Sequence, residues 1–146
     1  MLSLQEMSDR LEIQDLIARY SHAIDDRDWD ALDRVFIPDA VIDYSELGGS
    51  KADLASTKVF LAQAMPAFPA FQHLSATTRL DIEGDRAKAR TILFNPMVMM
   101  HEGEERVFFI GLWYWDELVR TPAGWRIASR REQKSWSFNA PPGLLP

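Results

Sequence analysis

The first 25 positions carry apolar residues at helical spacing. Leu4, Met7, Leu11, Leu16, Tyr20 and Ile24 recur every three to five residues, and Ile13 and Ile17 widen the stripe. Ser3 with Glu6 forms a capping-box pattern, so one long helix is expected from Ser3 to about Asp25. Asp25-Asp26-Arg27-Asp28 interrupts it. A short second helix should follow, with Trp29, Leu32, Val35 and Phe36 on one face, and Ile37-Pro38-Asp39 stops it because proline pushes its predecessor out of the helical region. Ala40 to Tyr44 reads as a strand and Gly48-Gly49 as a loop. Ser50 to Asp53 repeats the capping pattern before a third helix that runs to about Met65 and buries Leu54, Val59 and Leu61 or their neighbours, with Pro66 and Pro69 ending it.

The second half changes period. Gln72–Glu83, Arg86–Met100, Arg106–Val119 and Trp125–Phe138 read as long strands joined by short glycine-containing turns, which predicts an antiparallel meander. Along the second of these, Ala87, Ala89, Thr91 and Leu93 alternate with Lys88, Arg90, Ile92 and Phe94. Helices first and a meander after is an α+β layout. From Val107 to Trp115 both faces are apolar, so this strand should be covered on both sides, one by the helices and the other by a second subunit or the C-terminal tail. A homo-oligomer, dimer or trimer, built through the sheet is the expectation.

Length and composition narrow the picture. The 146 residues suit one domain, with a core over about 10–138 and a tail over 139–146. Without cysteine there are no disulfides or thiolate metal sites. A net charge of −6 disfavours nucleic acid, and the one dense basic stretch, Arg126 to Lys134, is interrupted by Glu132. No run is long and apolar enough for a membrane helix, and the N-terminus lacks a signal-peptide pattern, so a cytoplasmic location is expected.

The candidate chemistry is sparse. His101 lies in a turn among glutamates and His22 lies off the helix stripe, so both read as surface residues. His73 opens a strand after a proline-rich segment and is the candidate acid–base residue. Asp25, Asp26 and Asp28 cluster at a helix end, where capping explains one acid more easily than three. No phosphate loop, nucleophile elbow or metal-ligand spacing is present.

Several stretches together resemble the SnoaL-like domains of the nuclear-transport-factor-2-like superfamily. They are Ile13-Gln14-Asp15-Leu16 through Arg19-Tyr20, Asp25-x-Arg27-Asp28-Trp29-Asp30, Phe36-x-Pro38-Asp39-Ala40, Gln72-His73-Leu74, Tyr114-x-Asp116-x-Leu118, Gly124-Trp125-Arg126-Ile127 and Arg130-Arg131. Within that superfamily the chain is most similar to the scytalone dehydratase branch, with hexachlorocyclohexane dehydrochlorinase beside it.

The resemblance implies a cone-shaped half-barrel, with three N-terminal helices packed on a curved antiparallel sheet around an apolar pocket. It implies a cofactor-free, metal-free lyase (dehydratase-like β-elimination) or isomerase acting on a small hydrophobic, cyclic molecule. The family's histidine falls on His73, its aspartate on Asp25 and the dehydratase's pocket tyrosine on Tyr44. Histidine's ordinary titration near ~6.5 suits a base at neutral pH, and a carboxylate behind the ring fixes its tautomer. Tyr20 and Arg130 would place the substrate, and Trp29, Phe60, Met97, Met99 and Trp113 would line the pocket. The pattern departs from the family at Met97, which stands where the dehydratase has a second histidine, and at Tyr20, where the dehydrochlorinase has a lysine. Two other readings stay open: a non-catalytic binding or assembly module, and a polyketide-cyclase-like enzyme with an acid as base.

Overall fold

A computed structural model describes residues 1–146. Helix α1 runs Leu4–Asp25 and α2 runs Leu54–Ala64. The strands are β1 Phe36–Asp43, β2 Lys51–Ala52, β3 Ala70–Phe71, β4 Leu74–Glu83, β5 Arg86–His101, β6 Glu104–Thr121 and β7 Gly124–Phe138. Their order across one curved sheet is β2-β1-β7-β6-β5-β3, and β4 also pairs with β5. The meander is antiparallel as expected, but β1 runs parallel to β7, so the sheet is mixed.

Ser3 caps α1 by accepting from the Glu6 N–H. The predicted stripe holds only in its second half: Ile13, Leu16, Ile17, Tyr20 and Ile24 are buried, whereas Leu4, Met7 and Leu11 are exposed. Asp9 anchors the first half instead. Arg120 donates to both of its carboxylate oxygens, at 2.7 and 2.9 Å, and Trp125 Nε1 donates at 3.0 Å. The Arg120 guanidinium thereby holds the Asp9 carboxyl well below the usual carboxylate range. Asp9→Asn should cost about 1–3 kcal/mol in urea unfolding at neutral pH. Because the folded pKa is depressed, that contribution exists above the unfolded carboxylate pKa and is lost as pH falls below about 4. The wild-type and mutant stabilities should therefore converge in acid.

Three further expectations need correction. Trp29–Arg34 is a single 3₁₀ segment, and Phe36, expected on its apolar face, is already the first residue of β1. Pro38 lies inside β1 rather than ending a helix. The pairing with β7 shifts between Phe36 and Val41, so its missing N–H disrupts no ladder bond there. Helix α2 is capped by Asp53, which accepts from the Ser56 N–H, and it buries Leu54, Thr57 and Leu61 while Val59 is exposed.

The inner sheet face and the helices enclose one core. Ala87, Ala89, Thr91 and Leu93 face it, as do Phe108, Ile110, Leu112 and Tyr114. On the outer face Arg90 lies between Trp113 and Trp115, 4.4 and 4.7 Å from the ring centres, and Phe94, Phe109, Trp136 and Phe138 continue the aromatic row. The tail does not cover this face. Leu144 and Leu145 turn to the opposite side of the sheet, where they line the cavity described below. No helix is long and apolar enough to cross a membrane.

Candidate active site

His73 lies in a gap. β3 and β4 are two parts of one edge strand paired with β5, broken at Gln72-His73 opposite Asn95-Pro96. Pro96 has no N–H to return to the Gln72 carbonyl, so one ladder bond is lost there. One backbone bond and one side chain span the break. Gln72 N–H donates to the Pro96 carbonyl, and Asn95 Nδ2 donates to the Gln72 carbonyl at 2.7 Å. The His73 N–H, which points away from β5 at this alternate position, donates to Asp25 Oδ2 at 3.1 Å. The ring turns the same way, with Nδ1 2.7 Å from Asp25 Oδ1. One carboxylate thus grips both backbone and ring, and Nε2 is the nitrogen available to a molecule beside it.

The acid cluster divides its labour. Asp28 caps the 3₁₀ segment, accepting from the Ala31 N–H; Asp26 is the C-cap of α1; and Asp25 is free to hold His73. Arg27 between them donates to the carbonyls of Met65 and Phe68 and stacks over Phe71 at 4.6 Å. It ties the end of α1 to the segment leading into His73.

His73 faces a cavity of about 360 Å³, a size suited to a small organic ligand. Tyr20, Tyr44, Phe60, Met97 and Met99 line it, with Asn95, Phe108 and Glu132. The Tyr20 and Tyr44 hydroxyls meet at 2.6 Å. Burial pushes both phenols up, so they are neutral donors at physiological pH. Leu144 and Leu145 reach the cavity too, and Pro146 lies against Gly48. A larger hollow of about 660 Å³ on the outer face is lined by charged residues of both signs and contains no histidine.

Three expected residues lie elsewhere. Trp113 is on the outer face under Arg90, and Trp29 packs on the flank of the core. Arg130 is buried behind the cavity wall, where its Nε and Nη2 donate to the two Asp116 oxygens at 2.7 Å each. It is stacked between Tyr20 and Tyr114, 4.1 and 3.9 Å from their ring centres. Burial works against its charge, but Asp116 more than offsets this and keeps it protonated. Arg130 therefore does not line the cavity.

Glu132 is the residue that sequence reasoning missed. Strict alternation from the inward Trp125 and Ile127 would turn positions 130 and 132 outward. The pairing with β6 shifts at Glu117/Leu118, leaving Ala128 as an extra residue, and the parity flips. Arg130 and Glu132 consequently face inward. Burial pushes the Glu132 carboxyl up to about 8, with Arg130 opposing and Asp43 and Glu46 adding to the rise. No group of three or more His, Asp or Glu side chains converges to hold a metal ion.

Gly49 sets the position of Tyr44. Its N–H donates to the Tyr44 carbonyl, and an added Cβ would sit 2.7 Å from Tyr44 Cβ and 3.1 Å from the carbonyl oxygen. Gly49→Ala should destabilise the fold by about 1–3 kcal/mol and weaken ligand binding by displacing Tyr44. Urea unfolding and ligand titration check the two effects separately.

Comparison with known proteins places this geometry. An uncharacterised protein of Mycobacterium tuberculosis (strain H37Rv) is 50% identical over 134 residues, covering 92% of this chain and 90% of that one. A crystal structure from Novosphingobium aromaticivorans, of a protein assigned as an aromatic ring hydroxylase, superposes with a TM-score of 0.78 at 30% identity, covering 92% of both chains. A second from the same organism, assigned as a scytalone dehydratase, gives a TM-score of 0.80 at 15% identity over 92% of this chain and 89% of that one, a likeness of fold alone. The SnoaL-like domain model matches residues 5–131, so the chain belongs to the SnoaL-like domain family, with its α+β cone fold.

Proposed function

We propose that the protein is a cofactor-independent lyase or isomerase in which His73 removes a proton from carbon and Asp25 supports the ring. The observation that carries this reading is the Asp25–His73 contact of 2.7 Å at the wall of an apolar cavity. Asp25 accepts from Nδ1–H and stabilises the imidazolium as Nε2 takes the proton. The C–H electron pair becomes a C=C bond as charge moves onto an adjacent carbonyl oxygen, where Tyr44 donates a hydrogen bond. In elimination, a β-hydroxyl then leaves as water with the proton returned from Nε2. In isomerisation, the same proton returns to another carbon. The substrate is a small hydrophobic ring compound, which the methionines and aromatic residues of the lining suit.

Deuterium exchange tests this without knowledge of the natural substrate. A bicyclic ketone such as 2-tetralone, held in D₂O with the protein, should exchange its activated C–H protons faster than buffer allows, saturably and dependent on His73. No acceleration with any of a panel of ring ketones would remove the acid–base reading.

The likeness at 30% identity to a protein assigned as an aromatic ring hydroxylase favours one alternative, a module that binds ring compounds or assembles with an oxygenase. That module would bind the ketones without accelerating exchange. Self-association through the aromatic outer face, as a dimer or trimer, belongs to either reading, and a monomer in sedimentation at micromolar concentration would exclude it.

A further inference from the structure

The cavity lining contains no lysine or arginine; its ionisable groups are Tyr20, Tyr44, His73 and Glu132. The one nearby cation, Arg130, is neutralised by Asp116 and enclosed between two tyrosine rings. Apart from His73 when it is protonated, an anionic ligand therefore finds no counter-charge in the lining. Glu132 lies on β7, across β6 and β5 from the Gln72-His73 break, so the two residues occupy opposite flanks of the sheet. The groups around Glu132 are Tyr20 from α1, Asp43 and Glu46 at the end of β1 and just beyond it, and Tyr44, Tyr114 and Arg130. Burial and the two acids outweigh Arg130 and leave the carboxyl protonated at neutral pH, able to donate a hydrogen bond. The Tyr20–Tyr44 pair carries two hydroxyl protons, and their contact uses only one. Two proton donors are thus available at the flank of the cavity away from His73.

We infer that Glu132 and Tyr44 form the proton-donating end of the cavity and recognise one uncharged acceptor oxygen, such as a ring ketone carbonyl, on the ligand. This deepens the acid–base reading, on which it rests for the placement of the C–H bond at His73. The oxygen-binding claim itself is tested by equilibrium binding without turnover.

Three probes of similar shape separate the terms: 2-acetonaphthone, 2-ethylnaphthalene and 2-naphthoate, titrated by fluorescence into the full chain at about pH 6. The ketone should bind about tenfold or more tighter than the hydrocarbon, and the carboxylate most weakly. Raising the pH through about 8 should weaken ketone binding and leave hydrocarbon binding unchanged. Glu132→Leu, shown folded by circular dichroism, should lose the preference for the ketone. Glu132→Gln, the variant that decides should the leucine variant fail to fold, should keep part of the preference and lose its pH dependence. His73→Ala should retain both, so loss of exchange in that variant and loss of oxygen recognition at Glu132 are separate failures. A ketone preference that survives Glu132→Leu, pH dependence that persists in Glu132→Gln, naphthoate binding as tight as the ketone, or no binding of either neutral probe would each overturn the inference.

Discussion

Replacing His73 by alanine is expected to slow exchange of a bound ring ketone by roughly 10²–10⁴-fold, the usual worth of a positioned acid–base group. The fold should survive the change. The residue 73 N–H still donates to Asp25, and the gap between β3 and β4 keeps its Asn95 and Gln72 bonds. The melting temperature should therefore move by only a few degrees. Asp25→Asn is a second arm of the same experiment. It keeps size and one acceptor oxygen but removes the charge that favours the imidazolium, and about 10²-fold or more should be lost. The asparagine amide can also force the ring into the wrong tautomer. Measured by NMR in D₂O, a large loss in both variants with intact folding places proton transfer on the pair. Unchanged exchange in His73→Ala would move the chemistry elsewhere and leave Asp25 a structural anchor.

Much of this pair was legible in the sequence, because the resemblance carried His73 and Asp25 on short, ordered motifs. The reason they meet was not. It depends on Gln72 and Pro96 forming the hydrogen-bonded pair, which leaves His73 at the alternate position with its N–H turned off the sheet edge to Asp25. Helices and long strands are legible wherever apolar period and turn residues agree. The misreadings share one cause, which is that local pattern cannot see what lies opposite in space. Leu4, Met7 and Leu11 have helical spacing yet stay exposed, while Asp9 is buried because Arg120 and Trp125 arrive from the far hairpin. Arg130 was placed correctly on the last strand but assigned to the substrate, since Asp116 and the two tyrosine rings that occupy it are remote in sequence. Glu132 was hidden by the extra residue at Ala128, which reverses the alternation used to read a strand.

Glu132 should also govern how stability depends on pH. Its carboxyl rises from 4.5 to about 8 in the folded protein. Between those values the native state holds a proton that the unfolded chain has released, so stability falls as pH rises through that window and levels off above about 8. The loss is about 2–5 kcal/mol, the larger figure being the full pKa difference and the smaller allowing for water in the cavity. Asp9 acts in the opposite sense and only in acid, because its folded pKa is depressed. The two contributions therefore fall in separate pH ranges. Glu132→Gln cannot ionise, so its stability should stay nearly level where the wild type declines. Urea unfolding at about pH 5, 7 and 9 should give curves that nearly coincide at the lowest pH and separate with the mutant ahead at the highest. This is the unusual case in which removing a cavity-lining polar residue stabilises, and it does so only where the wild type must bury a carboxylate. Parallel stabilities across the range would mean that the native carboxyl is already ionised at neutral pH. The flank of the cavity away from His73 would then be an acceptor rather than a donor, and a ligand bearing a hydroxyl or amine would fit it where a ketone does not.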